Sequence, residues 1–306
     1  MGTLSKGAWP TMVTAFHDNG TLNFEGNAQI TDYLIRMGAN GLFTVCMSSE
    51  MHFLDTQQKQ DLAKCVLEAA NGRVQVIASG HTSTDMQAQI DELGAIIETG
   101  VDAVVLVTNC LAGLNDGIDV FENNLSTILK TFPETRFAAY ECPTPFKRIL
   151  TDEEVKLLAD TGRIEFLKDV SCDVERYARR AKIVEGSPLM LFNANTQTYL
   201  DSLKCGYHGY SGPMCNYHVD VFRWMYENFD KQPEKAAKLQ EWMTEMYTTC
   251  IPAYPMNAKY HMSLEGVDIG VMSFMKDVTL FTDEAAEYIT GVRDRELEMR
   301  KYLGIK

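Results

Sequence analysis

The chain has 306 residues, 45% of them hydrophobic, and a formal charge of −14 from 42 acidic and 28 basic side chains. That length and apolar content suit one α/β barrel with an added segment. The acidic balance argues against nucleic acid and anionic membranes as partners, and no apolar run reaches the ~18 residues of a membrane span.

Met1-Gly2-Thr3-Leu4-Ser5-Lys6-Gly7 has no apolar signal core, which points to a cytoplasmic protein. Eight cysteines are spread singly through the chain, with no Cys-x-x-Cys pair among them. They read as reduced thiols, and no metal site is expected because the ligands lack local spacing.

A unit recurs along the first part of the chain: a helix, a glycine stop, one or two polar residues, then a β-favouring apolar run. It stands as Met37-Gly38-Ala39-Asn40-Gly41-Leu42-Phe43, Thr99-Gly100-Val101-Asp102-Ala103-Val104 and Thr161-Gly162-Arg163-Ile164-Glu165-Phe166. Looser copies begin at Asn71, Glu185 and Cys205. Glycine just past a helix end takes the left-handed conformation that stops it. The predicted strands are 8–16, 41–46, 74–80, 103–108, 136–141, 164–170, 188–194 and 208–213. Between them, Met86, Ile90, Leu93 and Ile97 share one helical face, as do Phe121, Leu125, Ile128 and Phe132. Thr151-Asp152-Glu153-Glu154 is a capping box.

Eight alternating units predict a (β/α)8 TIM barrel over residues 1–230, carrying the active site. An open doubly wound sheet would want a Gly-rich turn after the first strand, and Thr14-Ala15-Phe16-His17-Asp18-Asn19-Gly20 has none. Residues 231–306 form a C-terminal helical region rich in Met, Trp and Tyr, with helices from 232, over 252–264 and over 283–302. It is expected to pack on the barrel or on a sister chain.

In such barrels chemistry gathers at the C-terminal strand ends. Lys168 lies near the end of the apolar stretch Ile164-Glu165-Phe166-Leu167-Lys168-Asp169-Val170. Burial there disfavours the ammonium and leaves free amine to attack a ketone; the alternative is a lysine that snorkels to solvent. Tyr140 ends the adjacent strand, where its phenol can relay protons beside Lys168. Glu141 and His52 are next in line for that role. Ser48 and Ser49, in the turn after the second strand, offer hydroxyls and backbone N–H groups to a carboxylate, although serines favour turns regardless. Ser211, at the end of the eighth strand, is a further candidate for substrate binding. Glu50 reads as structural, holding backbone groups of neighbouring loops. His81 and His208 are scattered and carry no assigned role.

These residues resemble the dihydrodipicolinate synthase / N-acetylneuraminate lyase family of class I aldolases, nearly end to end. Gly7-Ala8-Trp9-Pro10-Thr11-Met12-Val13-Thr14-Ala15-Phe16 is similar to its opening strand, and Gly41 to Glu50 to the strand and loop that bind the pyruvate carboxylate. Tyr140-Glu141-Cys142-Pro143 resembles its Tyr-Asn-x-Pro, Leu167-Lys168-Asp169 falls where its Schiff-base lysine lies, and Gly206 to Ser211 matches the eighth strand. The resemblance implies the same barrel with C-terminal helices, usually a homotetramer, and a covalent imine on Lys168 with no metal or organic cofactor.

The departures lie in specificity. Cys46-Met47-Ser48-Ser49-Glu50 stands for the family's Gly-Thr/Ser-Thr-Gly-Glu, so Met47 replaces a hydroxyl and Ser48 keeps the second. Leu111 takes the place of a tyrosine lent by a neighbouring subunit, and Pro145 that of an arginine for the aldehyde's carboxylate, with Lys147 or Arg148 nearby. The lyases' acidic pair is absent from Phe192-Asn193-Ala194-Asn195. The expected function is a Schiff-base lyase joining or releasing a small 2-oxo acid, such as pyruvate, and an aldehyde, with altered specificity. The alternatives are a 2-keto-3-deoxy sugar-acid dehydratase using the same lysine, and a catalytically silent small-molecule binder.

Overall fold

The computed structural model of the chain describes residues 3–305. Eight parallel strands follow one another around a barrel: β1 (Gly7–Ala8), β2 (Gly41–Thr44), β3 (Gln75–Ala78), β4 (Ala103–Val107), β5 (Phe137–Tyr140), β6 (Ile164–Asp169), β7 (Met190–Asn193) and β8 (Gly209–Tyr210). β1 pairs with β8, and the ring closes onto β2 through the parallel bridge Thr11 to Phe43. The structure is thus a TIM barrel with a C-terminal helical region.

The first strand is much shorter than the predicted 8–16. Pro10 has no N–H to give to the ladder, so there only its carbonyl pairs, accepting from Phe43 N–H at 3.0 Å, before Met12 N–H donates to Phe43 O at 2.9 Å. Pro213 is likewise excluded from the last strand, which stops at Tyr210.

Aromatic rings fill the barrel interior. Phe166 and Phe192 stack at 3.9 Å between centroids, and Trp9 meets them edge-on at 5.5 and 6.2 Å. Gly41 makes room for this layer, since a Cβ there would lie 2.4 Å from the Trp9 ring. Gly209 lets β8 approach β1, where a Cβ would sit 2.0 Å from Gly7 O. Outside, Phe121, Leu125 and Ile128 bury one face of the helix Ile118–Thr131. The capping box of Thr151 and Glu154 opens the helix Asp152–Asp160. An unexpected short helix, Thr108–Leu111, follows β4 and buries Leu111 within its own chain.

The C-terminal helices run Pro233–Cys250, Met256–Leu264 and Asp283–Leu303. Leu239, Met243 and Met246 of the first are buried. No helix among the described residues is long and apolar enough to cross a membrane.

Candidate active site

Strand alternation separates the chemistry from its support. Tyr140 and Lys168 are register partners on β5 and β6, and both side chains point into the barrel mouth. The next residues, Glu141 and Asp169, point outward to Arg180 of the helix Val174–Ile183. Arg180 Nη2 donates to Glu141 Oε1 at 2.6 Å and Nη1 to Asp169 Oδ2 at 2.5 Å, while Tyr207 OH donates to the same Asp169 oxygen at 2.6 Å. Glu141 also accepts from the backbone N–H groups of Leu150 and Val170. This buried network clamps the two strand ends and leaves Glu141 no part in a relay. His52 is exposed and off the cavity.

Lys168 is 5% exposed, and its Nζ lies 4.1 Å from the centroid of the Tyr140 ring. Desolvation lowers its pKa to about 8, partly opposed by Cys46 and Cys142. Roughly a tenth of the amine is then neutral at pH 7, about 300-fold more than for an ordinary lysine. Burial pushes the Tyr140 phenol well above its usual range, so it stays protonated and serves as a donor.

The two residues line a cavity of about 430 Å³. Met47 and Ser48 enter it from the loop after β2. That loop begins with Val45 at φ 48, a left-handed conformation rare for a β-branched residue and worth about 1–3 kcal/mol of strain. Ser79 Oγ holds the bend by donating to Val45 O at 2.5 Å. Ser48 Oγ donates to Thr11 Oγ1 at 3.2 Å. Among the described residues the amides of Met47 and Ser48 take no protein acceptor.

Two of the predicted binding residues fall outside the lining. Ser49 is fully buried and its hydroxyl donates to Met12 O at 2.7 Å, tying the loop to the first strand. Ser211 is also fully buried, with Oγ making no hydrogen bond. The turn of the loop and the strand alternation aim both hydroxyls behind the cavity wall. Of the two cations near the missing arginine, Arg148 is engaged by Glu154 at 2.5 Å, whereas Lys147 lines the cavity. His81 accepts from Val107 N–H and His208 from Leu191 N–H, both as supports.

The roof comes from beyond residue 230: Tyr247, Ile251, Tyr254, Met275 and Lys276. Sequence reasoning missed these, because nothing local in the chain says which helix folds over the mouth. Glu50 joins roof to floor. Its Oε2 accepts from Ser273 Oγ, Phe274 N–H and Met275 N–H at 2.6–3.1 Å, and its Oε1 from Lys259 Nζ at 3.0 Å.

The sequence profile of the dihydrodipicolinate synthetase family matches residues 4–285. The chain belongs to this family. It is 26% identical over 273 residues to the 4-hydroxy-tetrahydrodipicolinate synthase of Bacillus subtilis, covering 85% of this chain and 89% of that one. A prophage protein of this family from Escherichia coli K12, solved with pyruvate, superposes with a TM-score of 0.83 at 19% identity over 95% and 98% of the two chains. A Ruminococcus gnavus sialic acid aldolase, a catalytic lysine mutant, gives a TM-score of 0.86 at 17% identity over 97% of each. The protein is therefore an enzyme of the class I aldolase and lyase type. Aldolases of this family use a lysine Schiff base with no metal or organic cofactor.

Proposed function

We propose that this enzyme is a Schiff-base lyase acting on pyruvate or a closely related 2-oxo acid, with Lys168 as the nucleophile. The observation that carries the reading is the buried Lys168 amine, held against Tyr140 at the floor of the cavity. The neutral amine adds to the ketone carbon, water leaves, and the iminium withdraws electrons so that a proton can be lost from the adjacent carbon. The resulting enamine adds to an aldehyde, or arises in reverse when the carbon–carbon bond breaks. The Tyr140 phenol gives its proton to the oxygen that must leave and regains it in the next step. Ser48 and the amides of Met47 and Ser48 hold the carboxylate.

The walls bear on the second substrate. Met47, Pro143, Val170, Ile251 and Met275 give apolar wall, Asn195, Tyr247 and Tyr254 add hydrogen-bonding groups, and Lys147 and Lys276 supply positive charge. The two lysines support an aldehyde that carries an acidic group. The family resemblance supports assembly as a homo-oligomer.

Trapping tests the reading. Incubation with pyruvate and borohydride should add the mass of one reduced imine per chain, mapped by peptide sequencing to Lys168, and Lys168→Arg should abolish it because arginine stays protonated. Other 2-oxo acids belong in the same screen, since Met47 reshapes the carboxylate loop. A chain that binds 2-oxo acids yet traps none at Lys168 is a silent binder.

A further inference from the structure

Away from the cavity, three helices each place one side chain in a buried cluster. They are His218 of Cys215–Asn228, His261 of Met256–Leu264 and Glu296 of Asp283–Leu303. His261 Nε2 lies 2.9 Å from Glu296 Oε2, and His218 Nδ1 lies 3.0 Å from Oε1. The ligand-type atoms of all three fall within 4.8 Å of one another. Rings of Trp242 and Tyr217 cover the imidazoles, and none of the three side chains is more than 1% exposed.

Two observations go beyond proximity. Arg300 is shared between Asp220 and Glu296, each at 2.6 Å, so with neutral histidines the fully buried Glu296 and the partly buried Asp220 face one guanidinium. An uncompensated buried charge is costly and calls for a further cation. Second, the far ring nitrogens, His218 Nε2 and His261 Nδ1, make no hydrogen bond, and the helix is broken at His218 itself, with φ −134 and ψ 45. A proton would balance the charge but would leave a buried imidazolium N–H without an acceptor. A metal ion takes nitrogen lone pairs directly.

We propose that His218, His261 and Glu296 form a structural site for a divalent transition-metal ion of the zinc class. One imidazole nitrogen from each histidine and Glu296 Oε2 would be the protein ligands, with Oε1 held by Arg300. Metal–ligand bonds of about 2.0–2.2 Å place tetrahedral ligand atoms roughly 3.3–3.6 Å apart, so the two close His–Glu pairs would open by a few tenths of an ångström while the widest separation, within 4.8 Å, would close by about an ångström. The ion would staple the last helix to the helix that follows β8. The chain between those two helices carries Tyr247, Tyr254 and Met275 of the cavity roof.

The full chain, stripped with a chelator and given Zn²⁺, should hold one ion per chain by plasma mass spectrometry. Its Tm should rise by about 4 °C with zinc at a hundredfold excess over Kd. Co²⁺ should give the visible bands of a four-coordinate nitrogen and oxygen site with no thiolate charge transfer, which separates this site from the cysteines. His218→Gln and His261→Gln, checked for folding by circular dichroism, should lose both the ion and the metal-dependent rise. The proposal is overturned by a wild-type chain that retains no zinc and melts alike with and without it, by thiolate bands, or by full binding in a folded His261→Gln. Where neither variant folds, the wild-type stoichiometry and cobalt spectrum decide.

Discussion

At Lys168, burial creates the free amine and also burdens the fold. The folded pKa of about 8 lies below the ordinary lysine value of 10.5, so below pH 8 the native state carries a buried ammonium that the unfolded chain would solvate. Between pH 8 and 10.5 the unfolded state binds more protons, and stability therefore rises with pH in that window. Lys168→Met should accordingly be more stable than the parent at pH 7, by up to about 3 kcal/mol in urea titration, and the gap should shrink by pH 10. Imine formation should also gain as the proton leaves, with its rate climbing towards pH 8 and levelling above it. Tyr140→Phe keeps the ring beneath the amine and removes only the donor. Trapping should persist while turnover falls by about 10²–10⁴-fold; unchanged turnover would move the proton relay elsewhere. The tie between roof and floor is also a residue-scale matter. Glu50→Ala leaves the Lys259 ammonium buried without its partner, and should cost about 3–5 kcal/mol of stability in urea titration.

Elements explain why a pair of strand ends can be a reaction centre. β5 and β6 bring Tyr140 and Lys168 level, and the side-chain alternation that turns these two inward turns Glu141 and Asp169 outward onto Arg180. One guanidinium thus holds both strand ends in place without touching the cavity. Arg180→Met should leave two buried carboxylates without their cation, with a loss of about 3–5 kcal/mol in denaturant melts. Glycine stops and apolar periodicity made most strands and helices legible, down to the capping box at Thr151. The first strand is shorter than its β-favouring side chains predict, because they surround Pro10, which has no N–H to give to the ladder.

For the whole molecule, the C-terminal region is both roof and surface. Leu114 and Ile118 after β4, and Val278 and Leu280 in the C-terminal segment, stand exposed although apolar. Light scattering should show a dimer or larger species, with a tetramer expected from the family resemblance; a clean monomer at micromolar concentration would remove the oligomer from the proposal. The sequence by itself determined the barrel, the C-terminal helices and the facing of Lys168 and Tyr140, since periodicity, glycine stops and strand order are local or repeated signals. It also placed Ser48 at the mouth and marked Glu50 as a tie between loops. Only the tertiary structure decided that Ser49 and Ser211 turn away from the cavity, that Arg148 is taken by Glu154 while Lys147 lines the cavity, and that Tyr254 and Met275 close the roof. These depend on which distant segments meet, and no pattern within one element records the partner it will pack against.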